Sequence, residues 1–465
     1  MKRTILGAAL LLISFGLGAV SPVISDDTQE IKPLTAEQKI YGFSNFWREV
    51  SYNFAHWETA GDLDWDKAYQ DFLPRIIATN NDYEFYRELQ LFCALLKDGH
   101  TDITFPAGLL KKYIGRIPIQ LRELEKRAIV SNVDGLLGDQ IPLGSELLEI
   151  DGQTVQQMVI KDIIPYISTS APHMYWEMAI RSWRGVGAGV LFGAKGSVAH
   201  LKIQKPDGEV FSIDVPRDQY DRKINWSVKR PKRPLSEFRM LDGNVAYIAL
   251  NSFSNSEIVD EFRAKLPELT AASGVIIDLR KNGGGNSGNS SKIVGHLTDK
   301  PFTGSAWKTP KHYGAYKAWG RVADKYESLE KYRDYYFGHA YHEVEASEHQ
   351  PSQGLKITSP VIVLVSRSTG SAAEDFLIMA DGLDHVSYVG EPSFGSTGQP
   401  LNMDLPGGGS ARISTKRDFY PDGREFIGIG VVPDIIIKET VADLRSGTDI
   451  VLDKAIEVLE MKNQQ

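Results

Sequence analysis

The sequence predicts an α/β core at its C-terminal end, preceded by a small β-rich unit and a helical N-terminal unit. Three observations carry this. Short β-rich runs at 245–250, 274–279 and 360–365 are bounded by turn residues, as strands buried on both faces should be. Glycine- or serine-rich turns follow two of them and lead into helical patterns, which places functional loops at the carboxyl ends of the strands. Near the N-terminus Tyr41, Phe43, Phe46, Trp47, Val50, Tyr52 and Phe54 recur at helical spacing.

The chain has 465 residues, 42% hydrophobic and 24% charged, enough to bury more than one core without disulfides. A formal charge of -8 argues against nucleic acid or an anionic membrane as partner. Cys93 is the only cysteine, so no intramolecular disulfide can form, and its apolar neighbours make it a buried structural thiol. Lys2 and Arg3 precede an apolar stretch over 5–20, then Ser21-Pro22 and a polar sequence from Asp26. That order reads as an export signal over residues 1–25, with cleavage after Ala19 or Ser25, and directs the mature chain out of the cytoplasm, to a bacterial periplasm. An uncleaved anchor is the alternative, although 5–20 is short for a membrane span.

The helical module is expected over 33–110, with further helices over 65–77 and 83–96. A β-rich module is expected over 113–217, with strands near 117–121, 127–133 and 200–203. Its segment Leu147-Leu148-Glu149-Ile150-Asp151-Gly152 gives an apolar strand and an Asp-Gly turn leading into a helix, a PDZ-like arrangement. Such modules bind extended peptides by adding a strand to a sheet edge. Any small β unit could carry the same turn. The core spans 235–440 and contains an insertion over 307–353, rich in Tyr, Lys and Glu and without a clear period. His339, His342 and His349 lie there with Glu343 and Glu345, in a spacing that fits no zinc pattern; neither metal nor cofactor is implied.

Two segments carry the chemistry. After the run Val361-Ile362-Val363-Leu364-Val365, the residues Thr369-Gly370-Ser371-Ala372-Ala373-Glu374-Asp375 turn into an apolar helix. Ser371 at that turn can project its hydroxyl while neighbouring N–H groups face any anion beside it, the logic of a nucleophile elbow. It can equally cap the helix, with Glu374 completing a capping box. Upstream, Asp278-Leu279-Arg280-Lys281-Asn282-Gly283-Gly284-Gly285 is a strand followed by a triple-glycine turn that can present N–H groups to a ligand oxygen. It lacks the Gly-Lys-Ser/Thr ending of a phosphate loop.

These two segments, followed by Gly390-Glu391-Pro392-Ser393-Phe394-Gly395 and Gly430-Val431-Val432-Pro433-Asp434, resemble in order the C-terminal-processing (tail-specific) serine peptidases and the related tricorn core. The resemblance covers roughly 35–440. It implies a crotonase-like ββα-spiral core, Ser371 as nucleophile, and an oxyanion hole made by the N–H groups of Gly284 and Ala372. Most members use a lysine as base at the position occupied here by Ser396, so a Ser–Lys dyad is excluded. A histidine-using branch carries its base where this chain has Asp98-Gly99-His100-Thr101, which assigns His100. Tricorn-like sites orient that histidine with a serine–glutamate pair. Glu425 and Ser396 are the candidates here, with Glu391 and Asp98 as alternatives, while the tricorn serine before the histidine is Gly99.

The expectation is therefore an exported serine endopeptidase acting on polypeptide through a Ser371 acyl-enzyme. Two rivals stand beside it. One is a ligand- or peptide-binding protein with a spent site on the same core, and the other an acyl hydrolase that is not a peptidase. Arg367 and Arg280 are open between binding a substrate carboxylate and anchoring loops.

Overall fold

The computed structural model describes residues 33–182, 189–217, 223–229 and 231–463; the expected export signal lies outside them. Three long helices open the described chain, with one short turn of helix (Trp57–Ala60) after the first: α1 (Ala36–Asn53), α2 (Trp65–Ile77) and α3 (Asp82–Ala94). Each long helix starts where a polar side chain accepts an N–H of the first turn: Thr35 from Gln38, Asp64 from Lys67 and Asn81 from Glu84. Phe43, Phe46, Phe72, Phe85 and Phe92 fill the space between them, together with Leu405, Ala411 and Ile413 from far along the chain.

The last three residues arrive on a hairpin. A short strand β1 (Asp102–Thr104) follows α3 and pairs antiparallel with one arm of that hairpin. The N-terminal helices are thus stitched to the C-terminal third of the protein.

The β-rich unit is an antiparallel sheet of β2 (Ile119–Leu124), β3 (Arg127–Val133), β4 (Glu146–Ile150), β5 (Val198–Gln204) and β6 (Val210–Pro216), in that order. The strand Gln153–Thr154 pairs with β4 across Asp151 and Gly152, both at positive φ as a tight hairpin requires. A helix α4 (Met174–Arg181) packs on this unit through Ala179 and Ile180. Strand β2 lies at the sheet's edge.

The core is a six-stranded sheet of β7 (Ser236–Leu241), β8 (Val245–Leu250), β9 (Gly274–Asp278), β12 (Val361–Val365), β13 (Val386–Gly390) and β17 (Ile435–Ile436). Only β7 runs antiparallel to its neighbour. Every residue of β8, β9 and β12 is buried, because both faces are covered. On one face α5 (Ser287–Val294) and α6 (Ala372–Ala380) contribute Ile293 and Phe376 against Ile248, Ile277 and Val363. On the other α7 (Ile450–Asn463) sets Val451, Ala455 and Leu459 against Ile276, Ile362 and Val389.

Between β9 and β12 lie β10 (Ala306–Pro310) and β11 (Tyr341–Val344), an antiparallel pair separated by short helices. Their order comes from ring packing, with Tyr316 and Trp319 each within 5 Å of Tyr332, rather than from a regular apolar stripe. That is why the insertion shows no period. The hairpin β14 (Pro400–Leu405) and β15 (Gly409–Ser414) pairs through β15 with β1, and the adjoining β16 (Arg417–Phe419) pairs with β10.

Candidate active site

The nucleophile turn is built from the carboxyl ends of β9 and β12. Thr369 donates its hydroxyl to the Leu279 carbonyl at 2.9 Å, and the Gly370 N–H reaches the Asn282 carbonyl at 3.1 Å. Ser371, the residue before α6, sits at φ 54° and ψ −124°. That conformation is strained for any residue but glycine and gives the sharp strand-to-helix corner of a nucleophile elbow. The corner is held by Glu374. Its Oε2 accepts the Ser371 N–H at 2.9 Å, and its Oε1 accepts both the Ser393 hydroxyl and the Gly395 N–H at 2.6 Å. Burial pushes the Glu374 carboxyl up to about 8, against the pull of these donors.

The glycine turn lies against the serine. A Cβ on Gly284 would stand 2.7 Å from both the Gly370 carbonyl oxygen and Ser371 Cβ, and 2.9 Å from the Ala372 nitrogen. Gly284 also has φ 97°, so a side chain is excluded twice over. The Gly284 N–H donates to Asn282 Oδ1 at 2.9 Å, and Asn282 is itself tied to the Leu250 carbonyl.

His100 arrives from the other side. It is buried in the turn after α3, and its Nδ1 lies 2.8 Å from the Ser396 hydroxyl. Ser396 in turn donates to Asp98 Oδ1 at 3.3 Å. The other carboxylate oxygen accepts the hydroxyls of Thr101 and Ser414, each at 2.6 Å. Burial pushes the Asp98 carboxyl up, but His56, His100 and those two hydroxyls outweigh it and hold it below the usual carboxylate range. Because the Ser396 proton goes to Asp98, the Ser396 oxygen is left to accept the Nδ1 proton of His100. A neutral imidazole so bonded keeps its lone pair on Nε2.

Phe394 joins the two halves. Its N–H donates to the Thr369 carbonyl at 2.8 Å, and its ring meets the His100 ring edge-on at 6.1 Å between centroids. A Cβ on Gly99 would stand 2.8 Å from that ring and 2.9 Å from Ser396 Cβ. The side chain of Ser396 therefore takes the room that a serine before the histidine would need.

Of the expected residues, the structure brings Ser371, Ala372 and Gly284 together, and His100 with Ser396. Glu425 does not join them. It is half-exposed and pairs with Arg417 at 3.1 Å, because the Asp422-Gly423 turn directs it outward while burying Phe426. Asp98 stands where Glu425 was expected. Glu391 also lies elsewhere, 3.4 Å from Arg367. Arg367 reaches Glu123 of β2 and lies 3.5 Å from Glu177 of α4, so it anchors the serine turn to the β-rich unit. Arg280 is bound between Asp278 and Asp449. Sequence reasoning missed His56 and Ser414, which carry no motif and reach the site only through the fold.

A buried-strand core ending in a strained serine, with a buried histidine–serine–aspartate string beside it, defines a serine-type peptidase. Residues 244–437 match the model of peptidase family S41. That match spans the α/β core and carries both the glycine turn and the Ser371 turn. A carboxy-terminal-processing protease of Bartonella bacilliformis is 22% identical over 397 residues, which is 82% of each chain. The crystal structure of mature CPAF superposes with a TM-score of 0.70 at 16% identity, over 90% of this chain and 96% of that one. Mature CPAF complexed with lactacystin gives 0.69 at 15% identity, over 92% and 98%.

Proposed function

We propose that this chain is an exported endopeptidase that cleaves unfolded or C-terminal protein segments through a Ser371 acyl-enzyme, with His100 as general base. The observation that carries the proposal is the His100 Nδ1–Ser396–Asp98 string, because it sets the tautomer a base needs. Nε2 takes the proton of Ser371 as its oxygen attacks the scissile carbonyl. The oxyanion is held by the N–H groups of Ala372 and Gly284; the latter leaves Asn282 Oδ1 as the charge develops. His100 then protonates the leaving amine and activates water to release the acyl group. Asp98 stabilises the imidazolium through Ser396 at both steps.

In this reading residues 33–110 form a helical module, 113–217 a PDZ-like module and 235–440 a crotonase-like peptidase core. The polypeptide docks on the edge of β2, which with Arg181, Arg367 and Ser368 lines a cavity of about 750 Å3 between the β-rich unit and the core. Among the described residues no helix is long and apolar enough to cross a membrane. Periplasmic location rests on the N-terminal signal pattern.

One observation favours a silent binding protein: Asn282 occupies the Gly284 N–H that the oxyanion needs. Digestion of an unfolded protein by the purified mature chain, beside Ser371→Ala, decides. Cleavage by wild type alone supports the peptidase. Ester hydrolysis without peptide cleavage points to an acyl hydrolase, and binding without turnover to the silent protein.

A further inference from the structure

Behind Asp98 lies a second buried imidazole that the reaction does not use. His56 belongs to the loop after α1 and is fully buried. Its Nε2 lies 2.9 Å from the Lys416 carbonyl, which can only accept, so Nε2 carries the proton. Its Nδ1 is buried with no hydrogen-bond partner. The preceding Ala55 N–H donates to the Ser414 carbonyl at 2.9 Å. These two donors grip residues 414–416 from opposite sides of Thr415.

That stretch sets both supports of His100. The Ser414 hydroxyl donates to Asp98 Oδ2, and the Ser414 N–H to Thr101 Oγ1 at 3.0 Å. The N–H groups of Thr415 and Lys416 both donate to the Gly398 carbonyl, at 2.9 and 3.1 Å, fixing the loop that carries Ser396. A Cβ on Gly398 would stand 2.3 Å from Ser414 Oγ and 3.4 Å from His100 Cβ, so the loop has no slack.

We propose that His56 is a positioning residue for the reaction, a neutral N–H clamp that holds residues 414–416 so that Asp98 and Ser396 fix the His100 ring. The inference rests on the assignment of His100 given above. Burial holds the His56 ring below its ordinary range; Asp98 and Asp418 oppose this and Arg417 reinforces it. Glu58, beside the same ring, also faces it. Protonation in acid would place a second N–H at Nδ1, where nothing accepts it, and loosen the clamp.

The test is His56→Ala and His56→Gln, read in two ways. The first is turnover of an unfolded polypeptide. His56→Ala is expected to lower kcat by about 10- to 100-fold, the scale of an ångström's misplacement, with KM within about twofold. His56→Gln, whose amide can reach the Lys416 carbonyl, restores kcat to within about threefold of wild type on the same scale. The acid limb of its pH profile loses one proton relative to wild type, since Gln does not titrate. The second readout is the 15N spectrum of the His100 ring in Ser371→Ala, which needs no turnover. There His100 is a single Nδ1–H tautomer, becomes mixed on adding His56→Ala, and returns with His56→Gln. Should His56→Ala not fold, His56→Asn takes its place, because the shorter amide falls short of the carbonyl.

An unchanged tautomer in the Ala or Asn variant overturns the proposal, as does an unchanged kcat or a Gln variant as impaired as Ala. If wild type cleaves nothing while the tautomer responds as described, the peptidase reading fails and the clamp stands.

Discussion

The two halves of the site are assembled in opposite ways. The serine half is local in space: β9 and β12, although more than 80 residues apart in sequence, are neighbouring strands of one sheet, and the Gly283-Gly284-Gly285 and Thr369-Gly370-Ser371 turns at their ends touch because the strands do. The histidine half is long-range. His100 depends on Ser396, Asp98, Ser414 and the strap at Ala55-His56, contributed by three stretches more than 40 residues apart in sequence. A local half is fixed by backbone geometry and fails by steric strain. A long-range half is fixed by hydrogen bonds between modules and fails by loosening.

The largest expected effect tests the local half. In Gly284→Ala the new methyl meets the Gly370 carbonyl and Ser371 at contact distances no Cβ tolerates. Steady-state cleavage should fall by at least about 100- to 1,000-fold, the scale of losing an oxyanion donor. Near-wild-type activity would show that this turn is not tied to the serine.

Asp98→Asn tests the long-range half and should come next. The amide no longer demands the Ser396 proton, so the His100 tautomer is released. A loss of about 100-fold in kcat is expected, below the roughly 10,000-fold of a directly bonded triad aspartate, because Ser396 intervenes. A matching loss in Ser396→Ala would place the two in one string. An additive loss in the double variant would separate them.

Glu374 offers a smaller effect on stability. Replacing it with Gln leaves the Ser371 N–H facing an amide donor, a cost of about 1–3 kcal/mol. The pH dependence carries the sign. Its carboxyl is pushed up to about 8 in the fold against 4.5 as the ordinary value, so the folded chain holds a proton that the unfolded chain has lost. Stability from this group is full below about 4.5 and declines as pH rises to about 8; thermal melts of Glu374→Gln should lack that decline. Asp98 works in the opposite sense. Held below its ordinary range, it stabilises the fold above the unfolded carboxylate pKa, and this is lost as pH falls through its folded value. Asp98→Asn should flatten the acid side of the melting curve.

The smallest effect is expected for Glu425→Gln. With its carboxylate on Arg417 near the surface, kcat/KM should stay within about twofold, as for most exposed ion pairs. A large loss would return Glu425 to the site and displace Asp98.

The same contrast explains what the sequence disclosed. The core strands, the helices over 65–77 and 83–96 and the serine and glycine turns were legible, because each is written in consecutive residues. Ser396 was legible only as the position of a missing lysine, and Gly99 only as a missing serine. The structure makes these one fact, since Ser396 Cβ fills the space beside Gly99. Glu425 misled because spacing along the chain was read as position in space, while the Asp422-Gly423 turn points it outward. His56 and Ser414 could not be found, since nothing local marks a histidine whose partner is a carbonyl 360 residues away.

The most direct test of the central claim is the rate at which a fluorophosphonate labels the protein, followed by intact mass and peptide mapping. A single adduct on Ser371 is expected, absent from Ser371→Ala, with labelling slowed by orders of magnitude in His100→Ala because the hydroxyl has lost its base. An adduct on another residue, or labelling that proceeds unchanged without His100, would contradict that claim.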